Sequence, residues 1–344
     1  MRILVTGDKG YIGSVLTGML LEKKYDVIGL DTNYYEDCTL YTPNNSYHQI
    51  IKDIRTITKD DLKGVDGVIH LAGLSNDPLG ELAPNLTEEI NYEGTMALAK
   101  ASQEAGVSRF VYSSSQSMYG ISQTADELDE DNSEKNPLTA YATTKWRAEC
   151  DLKLMASDDF IVSFFRPSTV FGISPRLRCD IVFNNLVACA FTTGTIEIKS
   201  DGSPWRPVVH VRDVSNAFIA GLEAPASLVS GQAFNVGIPN GNFTVRDLAE
   251  AAQKVVPGST LTFTGEHGSD SRTYQVCFKK ILTVLKDYFQ PEWDLIRGGQ
   301  ELVDKFKEIN LTEDQFRGKT CTRLAQLNHL LETKQLNNKL HWTI

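Results

Sequence analysis

Six cysteines in 344 residues, at positions 38, 150, 179, 189, 277 and 321, offer no CxxC pair and no Cys/His run of metal-ligating spacing. A disulfide framework and a zinc site are therefore not expected, and neither is a catalytic metal. Long apolar runs are lacking too. No stretch of about 18 apolar residues occurs, so a membrane span is not expected. Positive charge is scarce: 34 Lys+Arg stand against 44 Asp+Glu, a formal net charge of −10, which repels a nucleic-acid backbone unless basic residues cluster locally. The amino terminus, MRILVTG, reaches a glycine turn with no room for a secretory n-region and h-region. A reduced, cytoplasmic protein is expected, and nucleic acid is not an expected partner.

What is present is a regular alternation. Residues 2–6 (RILVT) run into GDKGYIG and then SVLTGMLLEKK, where Val15, Leu16, Met19 and Leu20 recur at helical spacing. That reads as strand, glycine turn, helix. Further apolar runs, DVIGLD, GVDGVIHLAG, VSRFVYSSS and FIVSFF, alternate with helical stretches such as 87–105. The pattern predicts the α/β class: a Rossmann-type doubly wound parallel sheet covered on both faces. After Gly172 the alternation weakens into Arg- and Pro-containing loops, ISPRLRCD and TIEIKSDGSPWRPVVHVRD. The expected division is a dinucleotide-binding domain from 1–172 and 208–238, with a smaller discontinuous substrate lobe from 173–207 and 239–344.

The turn Gly7-Asp8-Lys9-Gly10-Tyr11-Ile12-Gly13 has GxxGxxG spacing between a strand and a helix. Glycines there let the backbone approach a pyrophosphate, which rests on free N–H groups at the helix N-terminus. Asp31 ends the second strand, where a carboxylate holds ribose hydroxyls and repels a 2′-phosphate; no Arg follows in DTNYY. NAD is expected rather than NADP. Downstream, Tyr141 and Lys145 stand at i and i+4 of a predicted helix, so phenol and ammonium share one face. Positive charge beside Tyr141 favours phenolate, which can exchange a proton with a substrate hydroxyl. Ser115, at the end of a strand, could hydrogen-bond the same oxygen. His70, His210, Cys150 and Cys179 are expected to be packing residues.

With VTGDKGYIGS, Asp31, KDI (52–54), HLAG (70–73), INYEGT (90–95), VYSSSQSMYG, YATTK, RPSTVFG (166–172), NNL (184–186), RPVVHVRDVSNA (206–217) and FNVG (234–237), the chain resembles the extended short-chain dehydrogenase/reductases. Within them it is similar to the nucleotide-sugar epimerase and dehydratase group. The resemblance implies a catalytic set of Ser115, Tyr141 and Lys145, with Tyr141 and Lys145 also binding the cofactor and Ser115 the substrate. It places Asp53 and Ile54 beside the adenine, Leu71, Ala72 and Gly73 along the cofactor cleft with Tyr11 and Ile12, and Asn91 nearby. For the nucleotide-sugar it implies Asn184, Asn185 and the diphosphate-binding arginines Arg206 and Arg272. Ser75 and Asn76, after the third strand, could offer hydrogen bonds to sugar hydroxyls. Asp8 departs from the group, in which another glycine is frequent.

Relatives that dehydrate sugars carry Asp-Glu after the catalytic Ser/Thr, whereas this chain has Gln116 and Ser117. The 3,5-epimerases carry Cys where Ser117 stands. What remains is Ser/Tyr/Lys with NAD, which implies epimerisation, C4 being the expected position, by transient oxidation to a keto sugar. A nucleotide-sugar ketoreductase or oxidoreductase is the nearest alternative, and a non-catalytic NAD-binding scaffold the more distant one. The group also implies a homodimer through the helical stretches 87–105 and 141–157, with Ala97, Leu98, Ala101, Ala105, Ala148 and Leu152 as the small or apolar face.

Overall fold

The computed structural model describes residues 1–43, 46–75, 77–121, 126–198, 200–263 and 273–343. Apolar, β-branched runs form β1 (Arg2–Thr6), β2 (Asp26–Asp31), β3 (His48–Ile51), β4 (Gly67–His70), β5 (Arg109–Ser113) and β6 (Ile161–Pro167). With the strand Ala233–Val236 they make one seven-stranded sheet, ordered (Ala233–Val236)–β6–β5–β4–β1–β2–β3. Every pairing is parallel. The doubly wound Rossmann-type fold is thus present. Its strand order reverses between β1 and β4, which opens a crevice at the carboxyl ends of the strands. Thr6 pairs with both Leu30 and His70, so the loop after β1 lies between the loops after β2 and β4.

Side chains alternate across a strand, and β1 shows the consequence. Ile3 and Val5 join one buried cluster, with Leu16, Phe165 and Phe218, while Leu4 joins another with Val68, Leu98 and Phe110. Helices cover both faces, and the first cluster runs on into the smaller lobe through Phe171, Phe183 and Leu302. In that lobe the strand Trp205–His210 pairs with Thr169–Phe171 and with Asn242–Thr244. The expected boundary at 207/208 therefore falls inside a strand. The helix Val211–Glu223 and the strand Ala233–Val236 then carry the chain back to the large sheet.

From Arg323 the chain also returns to the large sheet. The helix Arg323–Glu332 and the turns after it send Leu327, Leu330, Leu336 and Leu340 into the cluster that holds Leu4, Tyr34 and Ile54. The carboxy-terminal part of 239–344 thus packs on the dinucleotide-binding half. Burial also reassigns most of the apolar residues read as a dimer face. Leu98, Ala101, Ala148 and Leu152 belong to the chain's own core, whereas Leu154, on the same helix as Leu152, is 85% exposed. Those four were core positions because their helices must cover the sheet first.

Candidate active site

The glycine turn is shaped by close approach. Gly7 has φ +75°, and a Cβ there would meet the Ala72 nitrogen at 2.8 Å; a Cβ on Gly13 would meet the Gly7 oxygen at 2.1 Å. No side chain fits at either position. The helix Gly13–Glu22 starts here with no acidic residue in its first turn, so the positive end of its dipole is not offset by a carboxylate of its own. Asp8, in place of a glycine, turns away beneath β2. Its Oδ2 accepts from the Tyr47 hydroxyl (2.8 Å) and Gln49 Nε2 (2.7 Å). Gly29 leaves the room, since a Cβ there would stand 2.2 Å from that oxygen. Burial, helped by the Asp31 charge, raises the Asp8 carboxyl to about 6. Asp31 itself accepts from the amides of Lys9 (3.2 Å) and Asn33 (2.7 Å) at the end of β2, with burial raising its pKa.

The second constellation is built on β5 and one helix. Thr139 caps the helix Ala140–Met155, its hydroxyl accepting from the Ala142 amide at 3.2 Å. Tyr141 therefore sits in the first turn and Lys145 one turn later on the same face. Lys145 is 5% exposed; its Nζ donates to the Ser113 carbonyl at 2.7 Å and lies 4.8 Å from the centre of the Tyr112 ring. Burial pushes this ammonium down to about 7. Burial likewise raises the Tyr141 phenol, while Ser115 beside it and the Arg178 charge pull it back. A further turn along, Glu149 accepts from Ser114 (2.6 Å) and pairs with the buried Arg166 guanidinium from β6. That buried pair ties the helix to the strand ends from which Ser115 projects.

Both constellations line one cleft, of about 670 Å³, within the usual size of a small-molecule site. Gly7, Gly10, Tyr11, Ile12, Gly13, Asp31, Asp53 and Ile54 border one end, and Ser115, Tyr141 and Lys145 the other, with Leu71, Ala72 and Gly73 in the lining as well. Ser75 and Arg206 also face the cleft. Three asparagines are not in the lining. Asn91 bonds both the amide and the carbonyl of Leu74, Asn184 holds Gly172, Tyr11 and Arg178, and Asn185 reaches the Cys179 carbonyl. Each shapes the wall from behind. Asn76 and Arg272 lie outside the described residues.

Several cleft residues carried no legible signal. Arg178 follows two irregular turns of loop, yet its Nη1 reaches Ser75 (3.3 Å) while Asp180 holds its other nitrogens. Tyr35 and Arg323 line the cleft from opposite ends of the sequence. The Arg/Pro-rich segment ISPRLRCD was the one available hint. His70 is a packed histidine: Thr6 and Thr95 occupy its two ring nitrogens, at 2.6 and 2.8 Å, and burial lowers it to about 3.

A dinucleotide suits this donor set. The glycine turn admits no side chain, the helix N-terminus is free of acid, and Asp31 stands where β2 ends. Comparison with known proteins agrees. The model of the NAD dependent epimerase/dehydratase family matches residues 3–237. A UDP-glucose 4-epimerase of Mycolicibacterium smegmatis is 33% identical over 251 residues, covering 69% of this chain and 77% of that protein. UDP-glucuronic acid decarboxylase 1 of Arabidopsis thaliana is 26% identical over 333 residues, covering 92% and 72%. The solved structure of MoeE5 in complex with UDP-glucose and NAD superposes with a TM-score of 0.76 at 25% identity, covering 90% of this chain and all of that one. The chain belongs to the NAD-dependent epimerase/dehydratase family, and its cofactor is NAD.

Proposed function

We propose that the protein is a nucleotide-sugar epimerase that inverts C4 of its sugar through a transient keto intermediate. NAD bound in the cleft would supply a reversible hydride acceptor for the sugar carbon, with no net consumption. Tyr141 takes the proton of the sugar hydroxyl as its carbon is oxidised. The neighbouring Lys145 charge favours the phenolate, and Ser115 donates a hydrogen bond to the same sugar oxygen. The keto sugar turns over in the cleft so that its opposite face is reduced, and Tyr141 returns the proton to the carbonyl oxygen. Arg206 supplies positive charge for the substrate's diphosphate.

The observation that carries this choice is the orientation of Gln116. Its Nε2 donates to the Arg166 carbonyl (3.0 Å) and its side chain is buried away from the cleft. Ser117, which does line the cleft, is bonded to Ser115 instead (3.0 Å). The positions that would hold an acid–base pair for dehydration thus hold neither acid nor base. Incubating the protein with UDP-, dTDP-, GDP- and CDP-hexoses and analysing the sugars tests the assignment. A C4 epimer from at least one is expected. None from any, with NAD bound, would reject it, and stoichiometric consumption of NAD or NADH would select a ketoreductase or oxidoreductase. A homodimer is also inferred, and a monomeric mass by light scattering would exclude it.

A further inference from the structure

The carboxy-terminal segment brings to the cleft a buried cation that no carboxylate pairs with. Arg323, 2% exposed, lines the cleft between Thr322 and Leu324. Its Nη2 donates to the Arg176 carbonyl, its guanidinium lies 4.9 Å from the centre of the Tyr35 ring, and its Nη1 has no hydrogen-bond partner. Arg176, 6% exposed, is its neighbour, and the Nη1 of that side chain is unpartnered as well. Burial and the Arg323 charge together hold Arg176 below the usual guanidinium range. Arg178 offers the contrast, since Asp180 binds it through two nitrogens at 2.8 and 2.9 Å. Neither Arg176 nor Arg323 forms an ion pair among the described residues.

Among the described residues no carboxylate is in ion-pair contact with either cation, since Asp31 and Glu36 act on Arg176, and Asp180 on Arg323, only at longer range. An anion bound between them would stabilise the chain. The cleft that Arg323 lines also holds the Gly7–Gly13 turn, and NAD brings a doubly charged diphosphate. The segment is also fastened over the loop that continues from Asp31. The Tyr34 hydroxyl donates to the Leu340 carbonyl, Trp342 Nε1 to the Thr32 carbonyl (2.8 Å) and Gln326 Nε2 to the Tyr34 carbonyl (3.3 Å). We propose that Arg323, backed by Arg176, is a cofactor-binding residue that meets the diphosphate of NAD, and that residues 322–343 close the adenosine end of the cleft. This rests on the cofactor and not on the epimerase reaction.

Replacing Arg323→Met keeps the apolar stem and removes the charge. The test compares dissociation constants of NAD, ADP-ribose, adenosine and UDP, together with the NAD retained after desalting. We expect NAD and ADP-ribose to weaken about tenfold, adenosine and UDP to be unchanged, and Arg323→Lys to recover part of the loss. Unchanged NAD and ADP-ribose binding overturns the proposal. So does equal weakening of adenosine, which marks packing alone, or loss of UDP in place of NAD, which moves the charge to the substrate. Should the variant fail to fold, amide exchange on the unaltered protein decides: ADP-ribose should slow exchange across 322–343, and no slowing overturns the proposal. None of these readouts requires turnover, so they stand whether or not an epimer is formed.

Discussion

The two ends of the cleft are built from different kinds of contact. At the catalytic corner, Ser115 stands two residues past β5 and caps the short helix Gln116–Tyr119, Tyr141 follows the cap Thr139, and Lys145 stands one helical turn on. Each placement obeys a local rule. At the adenosine end the wall is assembled from residues far apart in the chain: the bonds from Tyr34 to Leu340 and from Trp342 to Thr32 span 306 and 310 positions. Chemistry here is encoded in short motifs, whereas closure of the site depends on where the tail comes to rest.

If the two ends are separable, changes at one should leave the other intact. The largest effect is expected for Tyr141→Phe, which removes the group that exchanges the proton. Turnover should fall by about 10³-fold while bound NAD, read by absorbance after desalting, stays; loss of NAD would couple the two ends. Next comes Arg206→Met. It should raise KM for the nucleotide-sugar about tenfold to a hundredfold with little change in kcat, and leave NAD content alone. Equal losses in kcat and kcat/KM would move Arg206 out of ground-state binding.

Asp8 sharpens the comparison from beneath the glycine turn. A carboxyl raised from 3.8 to about 6 binds its proton more tightly in the folded chain. Its contribution to stability is complete below about pH 4 and is lost as pH rises through about 6. Asp8→Asn keeps an acceptor for Tyr47 and Gln49 and removes that loss. At pH 7 it should gain up to about 3 kcal/mol, seen as denaturation midpoints that no longer fall between pH 4 and 6. The smallest effect is expected for Tyr34→Phe, which deletes the bond to Leu340. Tail docking should weaken by about 1 kcal/mol, with faster amide exchange confined to the carboxy-terminal segment.

The legible part of the molecule was the part governed by short-range rules. The GxxGxxG turn, Asp31 and the Tyr141/Lys145 pair could be read because strand, turn and helix periods fix where such side chains point. Asn184 and Asn185 show the limit. Their sequence context resembles a substrate contact, yet their amides bond backbone and Tyr11 behind the wall, a choice made by the packing of the segment 172–185. Ala148 and Leu152 were equally ambiguous, because a helix's apolar face is the same pattern whether it covers a sheet or a second subunit.

By itself the sequence determined the α/β class, the cofactor turn and the pairing of Tyr141 with Lys145 on one helix face, since spacing along a strand or helix dictates direction. The tertiary structure decided which distant residues line the cleft. Arg323, Arg178 and Tyr35 meet there because distant loops pack on a common core. No local period in the sequence records which buried guanidinium will lie outside ion-pair reach of a carboxylate.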